Sequence, residues 1–345
     1  MKKQSFYNFT LEELENFCVA NGAKKFNAKQ IYDWVYKKHV KDFNLMSNLS
    51  KTTISILNEK LSLDVFDLEK ILIDDRDGTT KFLFKLEDGH FIESVLMRFN
   101  WGNSVCISSE VGCPMGCKFC ASGQLKIVRK LQPYEFVLQY HMINEYLFEK
   151  ENQRVSNIVV MGIGEPFDNY DNLIQALKII NCPYGIEIGS RHITVSTCGL
   201  VDKIVQFAKD QPQINLAISL HAPTDEIRNQ IMPVNKVYPL ATLLKAVDTY
   251  LKITNRRISF EYLMIDKLND TDECLAELIK IAKNRLCYIN LISYNSTSKN
   301  SFTKSKRINY FKDALNNNNI MTTLRLERGS KIDAACGQLR AKYEK

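Results

Sequence analysis

The chain has 345 residues, 45% hydrophobic and 25% charged, an ordinary make-up for a soluble globular protein with a large core. Its formal charge of +7 leans mildly toward an anionic partner. No run approaches the roughly 18–20 apolar residues of a membrane span, and Met1-Lys2-Lys3-Gln4-Ser5 is followed by no apolar stretch, so the expected location is the cytoplasm.

Residues 10–64 predict a small helical module rich in lysine (Lys24, Lys25, Lys29, Lys37, Lys38). Thr10 ahead of Leu11-Glu12-Glu13 reads as an N-cap with acidic first-turn residues, and Leu11, Leu14, Phe17 and Cys18 recur at helical spacing. A second helix is expected over Asn27 to Lys38, with Ile31, Trp34 and Val35 on one face. A third, around Thr53 to Leu61, carries Ile54, Ile56, Leu57 and Leu61. Residues 68–99 then alternate. Thr80 to Leu86 and Phe91 to Met97 read as strands, and Glu87-Asp88-Gly89-His90 between them as a hairpin turn.

From residue 104 the pattern changes to strand–helix repeats. Strands are predicted at Val105–Ser108, Asn157–Met161, His192–Ser196, Asn215–Leu220, Ile258–Met264, Tyr288–Ile292 and Met321–Leu326. Helices are predicted at Pro133–Phe148, Asn172–Ile180, Leu200–Ala208, Leu240–Leu251, Glu273–Ala282 and Lys306–Leu315. Apolar strands alternating with amphipathic helices imply an α/β fold with a parallel sheet. About six such units fit a partial (βα)6 barrel of the TIM type. The expected organisation is a helical accessory domain over 1–65, a β-hairpin linker over 66–100 and a barrel core over 101–345. In barrels of this kind ligands bind at the C-terminal ends of the strands.

Ten cysteines in a reducing compartment are thiols, metal ligands or catalytic groups rather than structural disulfides. Cys18, Cys182, Cys198, Cys274 and Cys287 are scattered and read as small core hydrophobes. Cys113, Cys117 and Cys120 are different. They are spaced C-x3-C-x2-C in a loop after a strand, too close for all three to pack as hydrophobes on one element. Structural zinc takes four ligands, for which Cys106 is a candidate fourth. An iron–sulfur cluster also takes closely spaced thiolates, and three of them leave one iron of a 4Fe–4S cube open.

With an aromatic, Phe119, before the last cysteine, this loop resembles the radical S-adenosylmethionine (SAM) superfamily. Further strings resemble one of its families, the RlmN adenine-C2 methyltransferases of 23S rRNA and tRNA. They are Cys106-Ile-Ser-Ser, Met161-Gly-Ile-Gly-Glu-Pro166, Val195-Ser-Thr-Cys-Gly199, Ala217-Ile-Ser-Leu-His-Ala-Pro223, Ile289-Asn-Leu-Ile-Ser-Tyr-Asn295 and Ile332-Asp-Ala-Ala-Cys-Gly-Gln-Leu339. Cys198 departs from the pattern, where a small residue such as Ser is common. The resemblance covers nearly the whole chain, and the helical module corresponds to the family's accessory domain.

The resemblance implies a 4Fe–4S cluster on Cys113, Cys117 and Cys120 and two SAM molecules per turnover. One is cleaved to methionine and a 5′-deoxyadenosyl radical. Gly164, Glu165, Ser196, Ser219, Leu220, His221 and Asn295 would contact SAM, each at or just past the end of a predicted strand. It assigns Cys336 as methyl carrier, Cys106 as the thiol that resolves the RNA–protein adduct by forming a disulfide with it, and Glu93 as proton acceptor. Standing alone, the glycines would be an ordinary turn, His221 a satisfied core residue and Glu93 a solvated strand carboxylate. The implied partners are 23S rRNA in its peptidyl-transferase region, tRNA next to the anticodon, and a cytosolic electron donor such as flavodoxin or ferredoxin. The implied state is a monomer.

Basic residues that could position a phosphate backbone gather in the helical module, in Lys126-Ile-Val-Arg-Lys130, in Lys304-Ser-Lys-Arg307, in Arg325-Leu-Glu-Arg328, and in Arg98 with Trp101 beside the cysteine loop. Two other readings stay open. Related enzymes that methylate adenine C8 share the five cysteines, although the Gly-Glu-Pro-Phe and Leu-His-Ala-Pro strings resemble the C2 family more. A non-catalytic, metal-stabilised RNA-binding protein would leave Cys336 without a role.

Overall fold

The computed structural model describes residues 3–296, 301–325 and 327–339. Its N-terminal module holds α1 (Leu11–Ala20), α2 (Asn27–Tyr32) and α3 (Lys51–Lys60). Thr10 caps α1 as expected, in a capping box with Glu13, and Ser50 caps α3. The predicted second helix changes character halfway. After Tyr32 it widens into a π-helical turn over Asp33–Lys37, which swings Tyr36 in against Phe6, Tyr7 and Tyr32. That aromatic cluster packs on His141 of α4 (Pro133–Glu151), with the Tyr7 and His141 rings 5.1 Å apart.

The main sheet is laid down in chain order. Three antiparallel strands come first: β1 (Asp67–Ile73), β2 (Thr80–Lys85) and β3 (Phe91–Phe99). β4 (Gly102–Ile107) folds back on β3, so Val95 opposes Cys106 and Phe99 opposes Gly102. From β4 the pairing is parallel through β5 (Val155–Val160), β6 (Ile193–Thr197), β7 (Asn215–Ser219), β8 (Ile258–Met264), β9 (Cys287–Ser293) and β10 (Thr322–Arg325).

Helices carry each crossover between parallel strands. After α4 come α5 (Tyr170–Asn181), α6 (Val201–Asp210), α7 (Asp225–Ile231) with α8 (Leu240–Thr254), α9 (Asp272–Ala282) and α10 (Ile308–Asn317). β1 and β10 stand at opposite ends of the ten-stranded order, so the barrel is open, as a partial (βα)6 barrel must be. The central strands are near-continuous apolar runs because helices cover their outer face; all seven residues of β8 are buried.

Besides four two-residue strands, Gln4–Ser5 paired with Leu61–Ser62 and Glu110–Val111 with Arg129–Lys130, two longer elements were not expected. β1 is mostly exposed and carries Asp67, Glu69 and Lys70, so it lacks the alternation that marks a half-buried strand. α7 has only seven residues, too few to establish a helical period. The antiparallel strands also join the barrel sheet without a break at residue 101. Among the described residues no helix is long and apolar enough to cross a membrane.

Candidate active site at the mouth of the barrel

The loops that leave the C-terminal ends of β4 to β10 surround a cleft of about 980 Å³, its open mouth included. Cys113, Cys117, Cys120 and Cys336 line it together with Gly164, Glu165, Ser196, Ser219, His221 and Asn295. The predicted triad and most of the predicted SAM contacts therefore converge on one space. All ten cysteines are free thiols.

Burial pushes the Cys113 thiol up to about 12, and raises Cys117 and Cys120 as well. Such thiols stay protonated unless a cation draws the protons off. The set is too wide for one ion. Tetrahedral zinc with Zn–S bonds near 2.3 Å would draw its sulfurs to roughly 3.8 Å from one another. Among the described residues, the trio of ligand atoms that all fall within 4.8 Å is His39, His141 and Glu145, not the cysteines. Three thiols around an open cleft, Cys113 and Cys117 buried and Cys120 half-buried, fit a cluster better than a single closed ion. Phe119, between the last two cysteines, packs edge-on against His221, with ring centroids 4.8 Å apart.

Glu165 does more structural work than the sequence suggested. Its Oε1 accepts the Phe167 N–H at 3.0 Å and its Oε2 the Cys198 N–H at 2.8 Å, binding the loop after β5 to the end of β6. Burial raises its pKa despite those bonds. Gly164 sits at φ +108, and a Cβ there would lie 2.5 Å from Ser109 Oγ. The glycine thus lets this loop pass against the loop after β4 as well as approach a ligand. Glu110, on that neighbouring loop, accepts the Glu165 N–H at 2.9 Å.

Ser196 and Ser219 face each other at the ends of β6 and β7, their hydroxyl oxygens 3.4 Å apart. His221 is a buried residue at φ +55 whose Nδ1 accepts the Leu263 N–H at 3.1 Å. Burial pushes its pKa down to about 3, so the ring is neutral and carries its proton on Nε2, as a donor at the cleft wall. Leu220 has its side chain in the core and does not line the cleft. Asn295 donates to the Cys336 carbonyl at 3.3 Å, while its buried Oδ1 has no partner and so keeps an acceptor open for a ligand.

Cys336 is exposed at the cleft rim, between buried Ala335 and Gly337. Cys106 is buried behind it on β4, close enough for the two thiols to interact; burial and that neighbour push Cys106 up to about 12. Glu93 lies outside the cleft lining but on the same sheet face as Cys106, because Val95 opposes Cys106 and Glu93 is two residues from Val95. It is not a solvated carboxylate. It is 5% exposed and faces Lys81 Nζ at 3.1 Å.

Sequence reasoning missed two charged groups here. Arg228 on α7 is fully buried and donates to the carbonyls of Cys198 at 2.7 Å and Leu220 at 3.1 Å, gathering the ends of β6 and β7. Its charge acts on Cys117 in the direction that favours the thiolate. Arg325 belongs to the cleft rather than to a surface patch. It contacts Glu261 Oε2 at 3.4 Å, and the nearby Cys336 raises its pKa further. Cys198, expected as a scattered core cysteine, also lines the cleft beside Cys117. Neither arginine's role could be found by motif, since each acts through a contact between loops distant in sequence, whereas Cys198 already stood inside the Val195-Ser-Thr-Cys-Gly199 string at a strand end.

The other basic patches are largely committed within the chain. Arg98 pairs with Glu151, Arg129 with Glu135 and Asp88, Lys130 with Asp168, Lys304 with Glu327, and Arg307 with Asp272. Trp101 is exposed, but at the far end of β4 from the cysteine loop, roughly 17 Å away along the strand rather than beside it.

An open parallel barrel with a three-thiol ligand set at its mouth is the site of a radical SAM enzyme, and residues 107–280 match the Radical SAM superfamily. Residues 5–63 match the ribosomal RNA large subunit methyltransferase N-terminal domain. The chain is 51% identical over 342 residues to the probable dual-specificity RNA methyltransferase RlmN of Malacoplasma penetrans, covering 99% of this chain and 97% of that protein. It is 48% identical over 351 residues to the RlmN-named protein of Oceanobacillus iheyensis, covering 100% and 99%. The crystal structure of a radical SAM methyltransferase from Sphaerobacter thermophilus superposes with a TM-score of 0.93 at 39% identity, covering 98% of this chain and all of that one. The chain belongs to the RlmN family of radical SAM methyltransferases.

Proposed function

We propose that the chain methylates C2 of an adenosine in the peptidyl-transferase region of 23S rRNA and beside the anticodon of tRNA, with Cys336 as the methyl carrier. One observation carries this reading: an exposed thiol, Cys336, lies at the rim of a cleft lined by three further thiols, on a segment whose Ala334 and Leu339 pack in one cluster with the buried Cys106. Direct methyl transfer from a sulfonium needs neither thiol. Adenine C2 is an electron-poor aromatic carbon and no nucleophile, so it requires an attacking carbon radical instead.

A 4Fe–4S cluster held by Cys113, Cys117 and Cys120, with SAM bound beside it, supplies the methyl group, an electron and radical chemistry. His221 Nε2–H, the Ser196 and Ser219 hydroxyls and Asn295 Oδ1 offer polar contacts to the ligand, and Glu165 keeps their loops in place. Cys336 Sγ takes up the methyl group; the radical chemistry would remove one hydrogen atom from it, the carbon then bonds to C2, and the C2–H departs as a proton and an electron, the electron being one the redox centre would take back. Glu93 accepts the proton that leaves C2. The Cys106 thiol then attacks the Cys336 sulfur, giving up its proton as the S–S bond forms. The S–CH2 bond breaks, its electron pair stays on the carbon, and a proton completes the methyl group. The disulfide left behind is reduced in the cytosol. A flavodoxin- or ferredoxin-type donor provides the electron, and the enzyme acts as a monomer in the cytoplasm.

The test is mass spectrometry of RNA from cells with and without the gene, together with turnover on RNA deuterated at C2 and, separately, on RNA deuterated at C8. The expected result is gain of one methyl group with loss of the C2 label. Loss of label from C8 instead overturns the assignment. The Cys106→Ala variant should accumulate a covalent RNA–protein adduct, seen as a shifted band on a denaturing gel.

A further inference from the structure

Away from the cleft, where the N-terminal module meets α4, three ligand-type side chains face one another. His141 and Glu145 are one turn apart on α4 and share a face. His39 enters from the module, just past the π-helical turn. Glu145 Oε1 lies 3.4 Å from His141 Nε2 and 3.7 Å from His39 Nδ1, and the three ligand atoms are all within 4.8 Å of one another. A tetrahedral zinc ion with bonds of about 2.0–2.2 Å sets its ligand atoms roughly 3.3–3.6 Å apart, so the trio needs little adjustment.

Two further features point to a missing partner. His39 is held at φ +54, a left-handed conformation uncommon for a residue with a side chain. Its Nδ1 is buried and has no hydrogen-bond partner. We propose that His39, His141 and Glu145 form a two-histidine, one-carboxylate site for a divalent cation of the zinc class, fastening the N-terminal module to the barrel. Existing contacts are compatible with it. Lys41 pairs with the other carboxylate oxygen, Oε2, at 3.3 Å and keeps that place. The Tyr7 hydroxyl faces His141 Nε2 at 3.4 Å, a long contact that yields at small cost. Tyr7 and Tyr36 wall the inner side, and the Phe148 ring stacks on His39. The site shares no residue with the cleft, so it stands whatever RNA the enzyme acts on.

The test uses the full-length, iron-loaded enzyme, so that the cysteine loop is already filled. It is equilibrated with zinc chloride, desalted and measured for zinc by elemental analysis, and the bound zinc is examined by X-ray absorption. The expected result is one zinc per chain with only nitrogen and oxygen neighbours. His39→Ala should keep its iron and lose zinc affinity by at least about 100-fold, the upper end of what removing even a supporting residue costs. Failure to retain zinc, sulfur in its coordination shell, or unchanged affinity in His39→Ala would overturn the site. If His39→Ala does not fold, the wild-type stoichiometry and spectrum still decide.

Discussion

The loop that holds Cys113, Cys117 and Cys120 and the segment that holds Cys336 bring thiols to the same cleft by opposite means. The loop is embedded. Cys113 and Cys117 are buried, Lys118 N–H donates to the Ile231 carbonyl at 2.9 Å, and a Cβ at Gly123 would fall 2.7 Å from the Cys117 carbonyl oxygen. The C-terminal segment is laid on from outside. Its only regular element is a single 3-10 turn, Ser330–Ile332, among the described residues of 327–339. The antiparallel strands hold it: Asp77 Oδ2 accepts the Gly329 N–H at 3.2 Å and Lys81 Nζ donates to the Asp333 carbonyl at 3.1 Å. A ligand set gains from being fixed before its metal arrives. A carrier thiol must meet a methyl donor and then a base, and an exposed position on a tethered segment serves that.

The largest effect should come from separating the two regions chemically. Cys336→Ala removes the carrier and leaves the ligand set whole. Iron content and visible absorbance should match the wild type, while methylation falls to background. Normal turnover in this variant would mean that the segment only covers the cleft.

A smaller break is mechanical. Lys81 and Glu93 are both buried and 3.1 Å apart, and Lys81 also tethers Asp333. Lys81→Met removes a buried charge partner of Glu93 together with the tether to Asp333, and should destabilise the fold in urea unfolding by up to about 3–5 kcal/mol. Replacing both residues, as Lys81→Met with Glu93→Leu, should recover part of that loss, because the buried carboxylate is removed along with its cation. Equal losses in the single and double variants would show that the two groups are not coupled. The double variant should also lose methylation, since it lacks the proposed proton acceptor.

The comparison also explains what could be read in the sequence. The embedded region announces itself locally. C-x3-C-x2-C, Gly162-Ile-Gly-Glu165 and Ser219-Leu-His221 are short strings, and chemistry plus strand periodicity places each at a strand end. The barrel was legible for the same reason, because buried parallel strands are continuous apolar runs between amphipathic helices. What could not be read depends on distant pairings. The juxtaposition of Arg325 with Cys336, the burial of Glu93 by Lys81, and the Arg228 bridge between β6 and β7 arise only once strands are in register. Charge alone misled in the basic patches, since an arginine's sequence does not say whether a carboxylate waits across the fold, as Glu151 does for Arg98.

The subtlest expected effect lies beneath the embedded region, at Glu110. Burial, with the nearby Asp168 and Glu165, pushes its pKa from 4.5 up to about 8. The folded state therefore binds this proton more tightly than the unfolded chain does. That contribution to stability is complete below about 4.5 and is lost as pH rises through about 8. Glu110→Gln keeps an oxygen to accept the Glu165 N–H but has no proton to lose. Wild type and variant should then unfold at similar urea concentrations at pH 5, and the variant should be the more stable at pH 8, by on the order of 1–3 kcal/mol. If both lose stability in parallel between those pH values, Glu110 is already ionised in the fold, and the loop carrying Gly164 and Glu165 is held by a charged acceptor rather than a neutral one.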